Sequence, residues 1–160
     1  MKEQQLRSDV LELLEGKSAH GDLHTLTDGL PGEMRGAVPE GQSHSPWRLV
    51  EHLRIAIEDI VDFVLDPDAE SPDWPEGFWP DGPAPPSDAA WESCIAAIEA
   101  KLDQLRSLVR DDGTDLTTAP PHTGGKTLLR ACLLAADHNA YHLGQLATVR
   151  KLLGVPAEAP

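Results

Sequence analysis

TLLRACLLAADHNAYHLGQLATVRKLLG, residues 127–154, decides the fold. Its apolar residues recur three and four positions apart. The stripe begins near Thr127, and Gly154 followed by Pro156 closes the other end. The pattern predicts a helix from near Thr127 to Leu153. Outward from it, the same signals recur. Ser87 caps a long helix striped by Trp91, Ile95, Ile98, Leu102, Leu105 and Val109, which Asp111-Asp112-Gly113 ends. Ser45-Pro46 opens another, with Leu49, Val50, Leu53, Ile57, Ile60 and Val64 on one face, running to about Leu65 before Asp66-Pro67 stops it. Residues 3–15, with Leu6, Val10, Leu11, Leu13 and Leu14 ahead of Gly16, give a further helix.

Four helical segments with no strand pattern between them predict an all-α fold, a four-helix bundle. Ser18 to Leu26 reads as a short additional helix, and Gly29–Gly41 and Pro120–Gly125 read as loops. Residues 66–87 are proline-rich yet carry Trp74, Phe78 and Trp79. A flexible tether needs no large aromatics, so this segment is expected to be a long crossover loop between the second and third bundle helices, lying against the bundle. At 160 residues the chain reads as one domain over 1–160.

Composition agrees and narrows the function. Hydrophobic residues are 40% and charged residues 25%, a globular balance. Four Trp, two Phe and one Tyr leave the core to Leu, Ile, Val and Ala, which favours helices. The net charge of −14, with no Lys/Arg stripe, argues against nucleic-acid binding. No run approaches the ~18 apolar residues of a membrane span. MKEQQLRSDVLELLEG at the N-terminus lacks the apolar stretch of a signal peptide. Cys94 and Cys132 fall inside helix patterns without a Cys-x-x-Cys, as expected of buried, reduced thiols in a cytoplasmic protein.

Seven histidines include two i, i+4 pairs, His20/His24 and His138/His142. On a helix that spacing stacks two imidazoles on one face, within reach of one ion at ~2.0–2.1 Å. Context separates the pairs. His138 and His142 continue a stripe through Ala131, Ala135, Leu146 and Val149, where ring nitrogens would lack water and a metal would satisfy them; a hydrogen-bonded core pair is the alternative. His20/His24 sits among Gly21, Asp22, Thr25 and Thr27, where solvent can serve both rings. His52 falls at the edge of the apolar arc, beside Ala56 and Phe63 but near Asp59, a boundary position that would add a third ligand opposite the pair. His44 immediately precedes the Ser45 cap and could line the mouth of such a site. Three imidazoles leave coordination positions open, as catalytic and ligand-binding sites do. The Glu-x-x-His pairs of a di-iron bundle are missing.

SPWRLVEHLR (45–54) and DHNAYHLGQ (137–145), with the Trp- and Pro-rich segment before Trp91 and VRKLLG (149–154), resemble the DinB-like family of bacterial four-helix-bundle proteins over nearly the whole chain. The resemblance implies a metal triad of one histidine from the second helix and two from the fourth, here His52, His138 and His142. It implies zinc or nickel as the divalent metal and a homodimer packed through helices, a role that Ala136, Ala140, Gly144 and Ala147 would suit; these also suit close packing within one chain. Some relatives are S-transferases or isomerases that use bacillithiol, mycothiol or a similar low-molecular-weight thiol, and others have no established activity. With Cys94 and Cys132 placed for packing, a thiol cosubstrate would supply the nucleophile, and no residue stands out as catalytic. Glu51, Asp137 and Asn139 adjoin the ligands in sequence. A metal-dependent hydrolase and a non-catalytic metal-binding or stress-response module are the alternative functions.

Overall fold

Short polar residues three positions ahead of a free backbone N–H start three of the long helices. In a computed structural model that describes residues 2–16 and 19–157, Ser45 Oγ accepts from Arg48 N, Ser87 Oγ from Ala90 N and Thr127 Oγ1 from Arg130 N at 3.1–3.2 Å. The helices are α1 (Lys2–Glu15), α2 (Leu23–Thr27), α3 (Pro46–Leu65), α4 (Asp88–Arg110) and α5 (Leu128–Leu152). Single 3₁₀ turns lie at Gly32–Met34, Glu76–Phe78 and Pro121–Thr123. The described residues contain no strand, so the fold is all-α. Gly16 and Gly154 follow α1 and α5 with φ of +69° and +78°, backbone that a side chain would strain.

The apolar stripes decide the packing. α3 lies against both α4 and α5, and α1 against the same two helices. Leu49, Leu53 and Ile57 of α3, Trp91, Ile98 and Leu105 of α4, and Leu146 and Val149 of α5 meet in one buried core. Burying each such side chain contributes roughly 1.5–3 kcal/mol. Two arginines are buried with them. Arg7 donates to the carbonyls of Val109, Asp111 and Thr114 at 2.6–3.1 Å, and Arg150 to those of Leu26, Asp28 and Val155 at 2.7–3.0 Å. They satisfy carbonyls at a helix end and in loops, the Asp111 carbonyl also accepting from Thr114 N at 3.0 Å.

The short helix begins later than its composition suggested, at Leu23 with Asp22 as its cap. His20 therefore precedes the helix and shares no face with His24; Ser18 lies outside the described residues. Residues 66–87 connect α3 to α4 and are held to the helices at several points. Ser45 Oγ, besides capping α3, donates to the Pro83 carbonyl. Gly36 faces Ala84 so closely that a Cβ there would sit 2.5 Å from the Ala84 Cβ. No helix among the described residues is long and apolar enough to cross a membrane.

Candidate metal centre

α3 and α5 bring three histidines to one point. His52 Nε2 lies 3.1 Å from His138 Nε2 and 3.0 Å from His142 Nε2. The candidate ligand atoms all lie within 4.8 Å of one another, an arrangement that could hold a metal ion. His52 and His142 are 4% and 6% exposed, and His138 is half-buried.

Their protons can be placed from their partners. His52 Nδ1 is 2.7 Å from the Phe78 carbonyl, which only accepts, so Nδ1 carries the hydrogen and Nε2 a lone pair. His142 Nδ1 is 2.7 Å from Gln145 Oε1, an acceptor for a hydrogen on Nδ1, and Gln145 Nε2 lies 3.4 Å from the Tyr141 hydroxyl. With the His142 hydrogen on Nδ1, two Nε2 lone pairs face each other at 3.0 Å. Such a contact is repulsive unless a cation sits between the rings. Burial disfavours a proton there. It lowers the pKa of His52 against the pull of the Phe78 carbonyl, and it brings His138 and His142 to about 4, with the neighbouring imidazoles adding to the effect. A divalent ion fits instead. Two nitrogens ~2.0–2.1 Å from one ion stand roughly 2.9–3.4 Å apart at ordinary coordination angles. The engaged Nδ1 atoms of His52 and His142 are what a ligating histidine needs to keep its tautomer. His138 Nδ1 is buried without a partner.

The crossover supplies the roof. Trp79 stacks on His52 at 4.0 Å between centroids and on His44 at 4.1 Å, nearly parallel to both, with the Arg48 guanidinium 5.7 Å from its ring. His44 is thus held on the far side of the indole, its pKa lowered by burial and then by Arg48. Tyr141 meets His142 edge-on at 4.9 Å. Over the histidines opens a cleft of about 700 Å³, walled by Ala56, Ile60 and Leu134, edged by Trp74, Phe78 and Tyr141, and holding Asp59 and Asp137.

His44 therefore does line the site, and His52 is more deeply buried than its place on the helical arc suggested, because Trp79 covers it. His20 and His24 are exposed, His24 with Nε2 3.7 Å from Glu99. Asp137 lines the cleft, whereas Glu51 pairs with Arg54, and Asn139 faces a separate cavity of about 360 Å³ with Ala136 and Ala140. Cys94 and Cys132 are free, buried and absent from the cleft walls. Burial pushes the Cys132 thiol up to about 11, and burial, then Glu51, pushes Cys94 higher. Gln145 and Phe78 went unnoticed as partners. Gln145 was discoverable, since it stands three residues after His142 on the same helix; a backbone carbonyl leaves no signal.

Comparison with known proteins bears on the same residues. Neither the curated proteins nor the solved structures give a match. A family model described as the DinB superfamily matches residues 17–146, a span that includes His52, His138 and His142. Covering most of the chain, that match shows that this protein belongs to the DinB superfamily.

Proposed function

We propose that this chain is a metal-dependent S-transferase or isomerase acting with a low-molecular-weight thiol, in which His52, His138 and His142 hold one divalent transition metal, zinc or nickel. The observation that carries the reading is the convergence of the His52, His138 and His142 Nε2 atoms on one point beside an open cleft, with the Phe78 carbonyl and Gln145 at the Nδ1 atoms of two of the rings. Neutral, buried imidazoles with open space on one side are the donor set of a reactive centre rather than a sealed structural one.

When bound, the ion supplies Lewis acidity, lowering the pKa of a thiol that reaches it. The chain's residues do the rest. Phe78 and Gln145 offer acceptors that favour the ligating tautomer of two rings, Trp79 covers the outer face of His52, and Ala56, Ile60 and Leu134 give the cleft an apolar wall for a substrate. The nucleophile comes from the cosubstrate, because both cysteines are buried with raised pKa values. The reading takes the four long helices as the family's four-helix bundle, with residues 66–87 as its crossover. It takes a second copy of the chain as partner and the cytoplasm as location.

Metal content of the wild type and of His52→Ala, His138→Ala and His142→Ala tests the centre, with His20→Ala as a control that keeps its metal. Stoichiometric metal in all three variants sinks it. Metal-loaded protein incubated with bacterial thiols and a panel of electrophiles tests the chemistry: metal-dependent conjugation supports the transferase, and silence across the panel supports a non-catalytic metal-binding module.

A further inference from the structure

The cleft over the histidines continues past its apolar wall. Asp59, Ile60 and Leu134 bound it, and the same three residues bound a second cavity of about 260 Å³. That cavity follows the seam between α3 and α5, past Phe63, to Lys126 and Arg130. From His138 back to Arg130 the helix axis covers about 12 Å at ~1.5 Å per residue. The two cavities adjoin at those residues, so the candidate metal centre and a pair of cations lie along one seam, the groove between α3 and α5.

Those cations differ from five others in the chain. Arg7, Arg35, Arg54, Lys101 and Arg106 each sit against a carboxylate. Among the described residues, the side chains of Lys126 and Arg130 have no hydrogen-bond or ion-pair partner, and Lys126 Nζ rests 5.2 Å from the centre of the Phe63 ring. The cleft at the other end holds Asp59 and Asp137 and no Lys or Arg. An anion placed midway meets Asp59, so the far end is where the groove accommodates one.

We propose that the groove takes an elongated amphiphilic carboxylate. Its reactive head lies at His52, His138 and His142, its apolar body over Ile60, Leu134 and Phe63, and its carboxylate between Lys126 and Arg130. The head assignment rests on the reading of the histidines as the reacting centre; the carboxylate site does not. Charge makes the carboxylate site diagnostic. On a chain of net charge −14, general electrostatics favours an amine over a carboxylate, so a preference for the carboxylate has to come from a local site.

The test has two arms, both read by calorimetric titration below micellar concentrations. On metal-free protein, where no ion can hold the carboxylate, octanoate should bind about tenfold more tightly than 1-octanol or octylamine, the work of two charge pairs near the surface. The double variant Lys126→Gln, Arg130→Gln should bring octanoate down to the level of 1-octanol. Octanoate no tighter than octylamine, or unaffected by the double variant, overturns the carboxylate site. On zinc-loaded protein, 8-mercaptooctanoate should bind at least tenfold more tightly than octanoate, and His138→Ala should remove that gain while keeping the preference for octanoate. A thiol that gains nothing while octanoate keeps its preference overturns the placement of the head alone, so failure of the metal reading is told apart from failure of the anion site.

Discussion

Replacing Gln145 by methionine probes how the centre is held, and the size of its effect follows from where the protons go. Gln145 Oε1 accepts from His142 Nδ1 at 2.7 Å, and methionine offers a side chain of similar length with no such acceptor. With metal bound, His142 Nε2 is a ligand, so the hydrogen must stay on Nδ1. His142 is 6% exposed, and water cannot replace the lost oxygen. A buried donor without an acceptor costs about 1–3 kcal/mol. The metal-free variant escapes that cost, because the imidazole can switch tautomer. Its hydrogen moves to Nε2 and donates to His52 Nε2, 3.0 Å away. The penalty falls on the metal-bound state alone and weakens zinc binding about five- to 150-fold, each ~1.4 kcal/mol being a factor of ten.

Competition against a chromophoric chelator measures this directly, and thermal melting of the metal-free variant separates affinity from folding. Gln145→Met should lose at least fivefold in zinc affinity with little change in metal-free melting temperature. Gln145→Glu, which restores an acceptor and adds charge, should bind zinc at least as tightly as the wild type. Zinc affinity of Gln145→Met within threefold of the wild type would falsify the assigned role of the amide. Equal losses in Gln145→Met and Gln145→Glu would show that the position matters for shape and not for its oxygen.

The metal-free protein should lose stability as pH falls from 6.5 to about 4. Above 6.5 His138 and His142 are neutral in both states and their contribution is whole; below it the unfolded chain takes protons that the folded chain, with both pKa values near 4, refuses until pH 4. At ~1.4 kcal/mol per pH unit for each ring, halved for partial solvent screening, the loss is about 3 kcal/mol in total. Urea denaturation across this range should show it, and a double variant His138→Gln, His142→Gln with the same pH slope as the wild type refutes the assignment. Arg7→Ala strands the carbonyls of Val109 and Thr114 and should cost about 2–4 kcal/mol by the same assay; a loss under ~0.5 kcal/mol, the scale of an ordinary surface change, counts against its role as a staple. A thiol reagent such as dithiobisnitrobenzoate should leave the native protein untouched for minutes and release 2 thiols per chain once it is unfolded; rapid native labelling would contradict the burial of Cys94 and Cys132.

How far the site could be read from the chain depends on which element supplies each part. Ser45 and Ser87 cap α3 and α4 where the sequence placed them, because a cap is a contact three residues long, and α5 starts beside Thr127 as its stripe indicated. His138 and His142 were legible for the same reason: both lie within one helix, so spacing fixes their shared face. His20 and His24 show where that inference stops. Their spacing is identical, but the helix starts at Leu23, and the Asp22 cap was the signal that His20 stands outside it. His52 was half legible. The wheel put it at a boundary; its burial comes from Trp79, delivered by the crossover, which has no periodicity to reveal where its aromatics land. The Phe78 carbonyl that fixes the His52 tautomer was not legible at all, because every residue has a carbonyl. Arg7 and Arg150 eluded the sequence likewise: arginine reads as surface, and their partners are backbone oxygens. The centre thus divides by element. Helices α3 and α5 supply the convergent nitrogens, and the crossover between α3 and α4 supplies the roof and one proton acceptor. A substitution confined to residues 74–79 can therefore change access and tautomer while leaving all three histidines in place, a change that inspection of the histidine motif alone would miss.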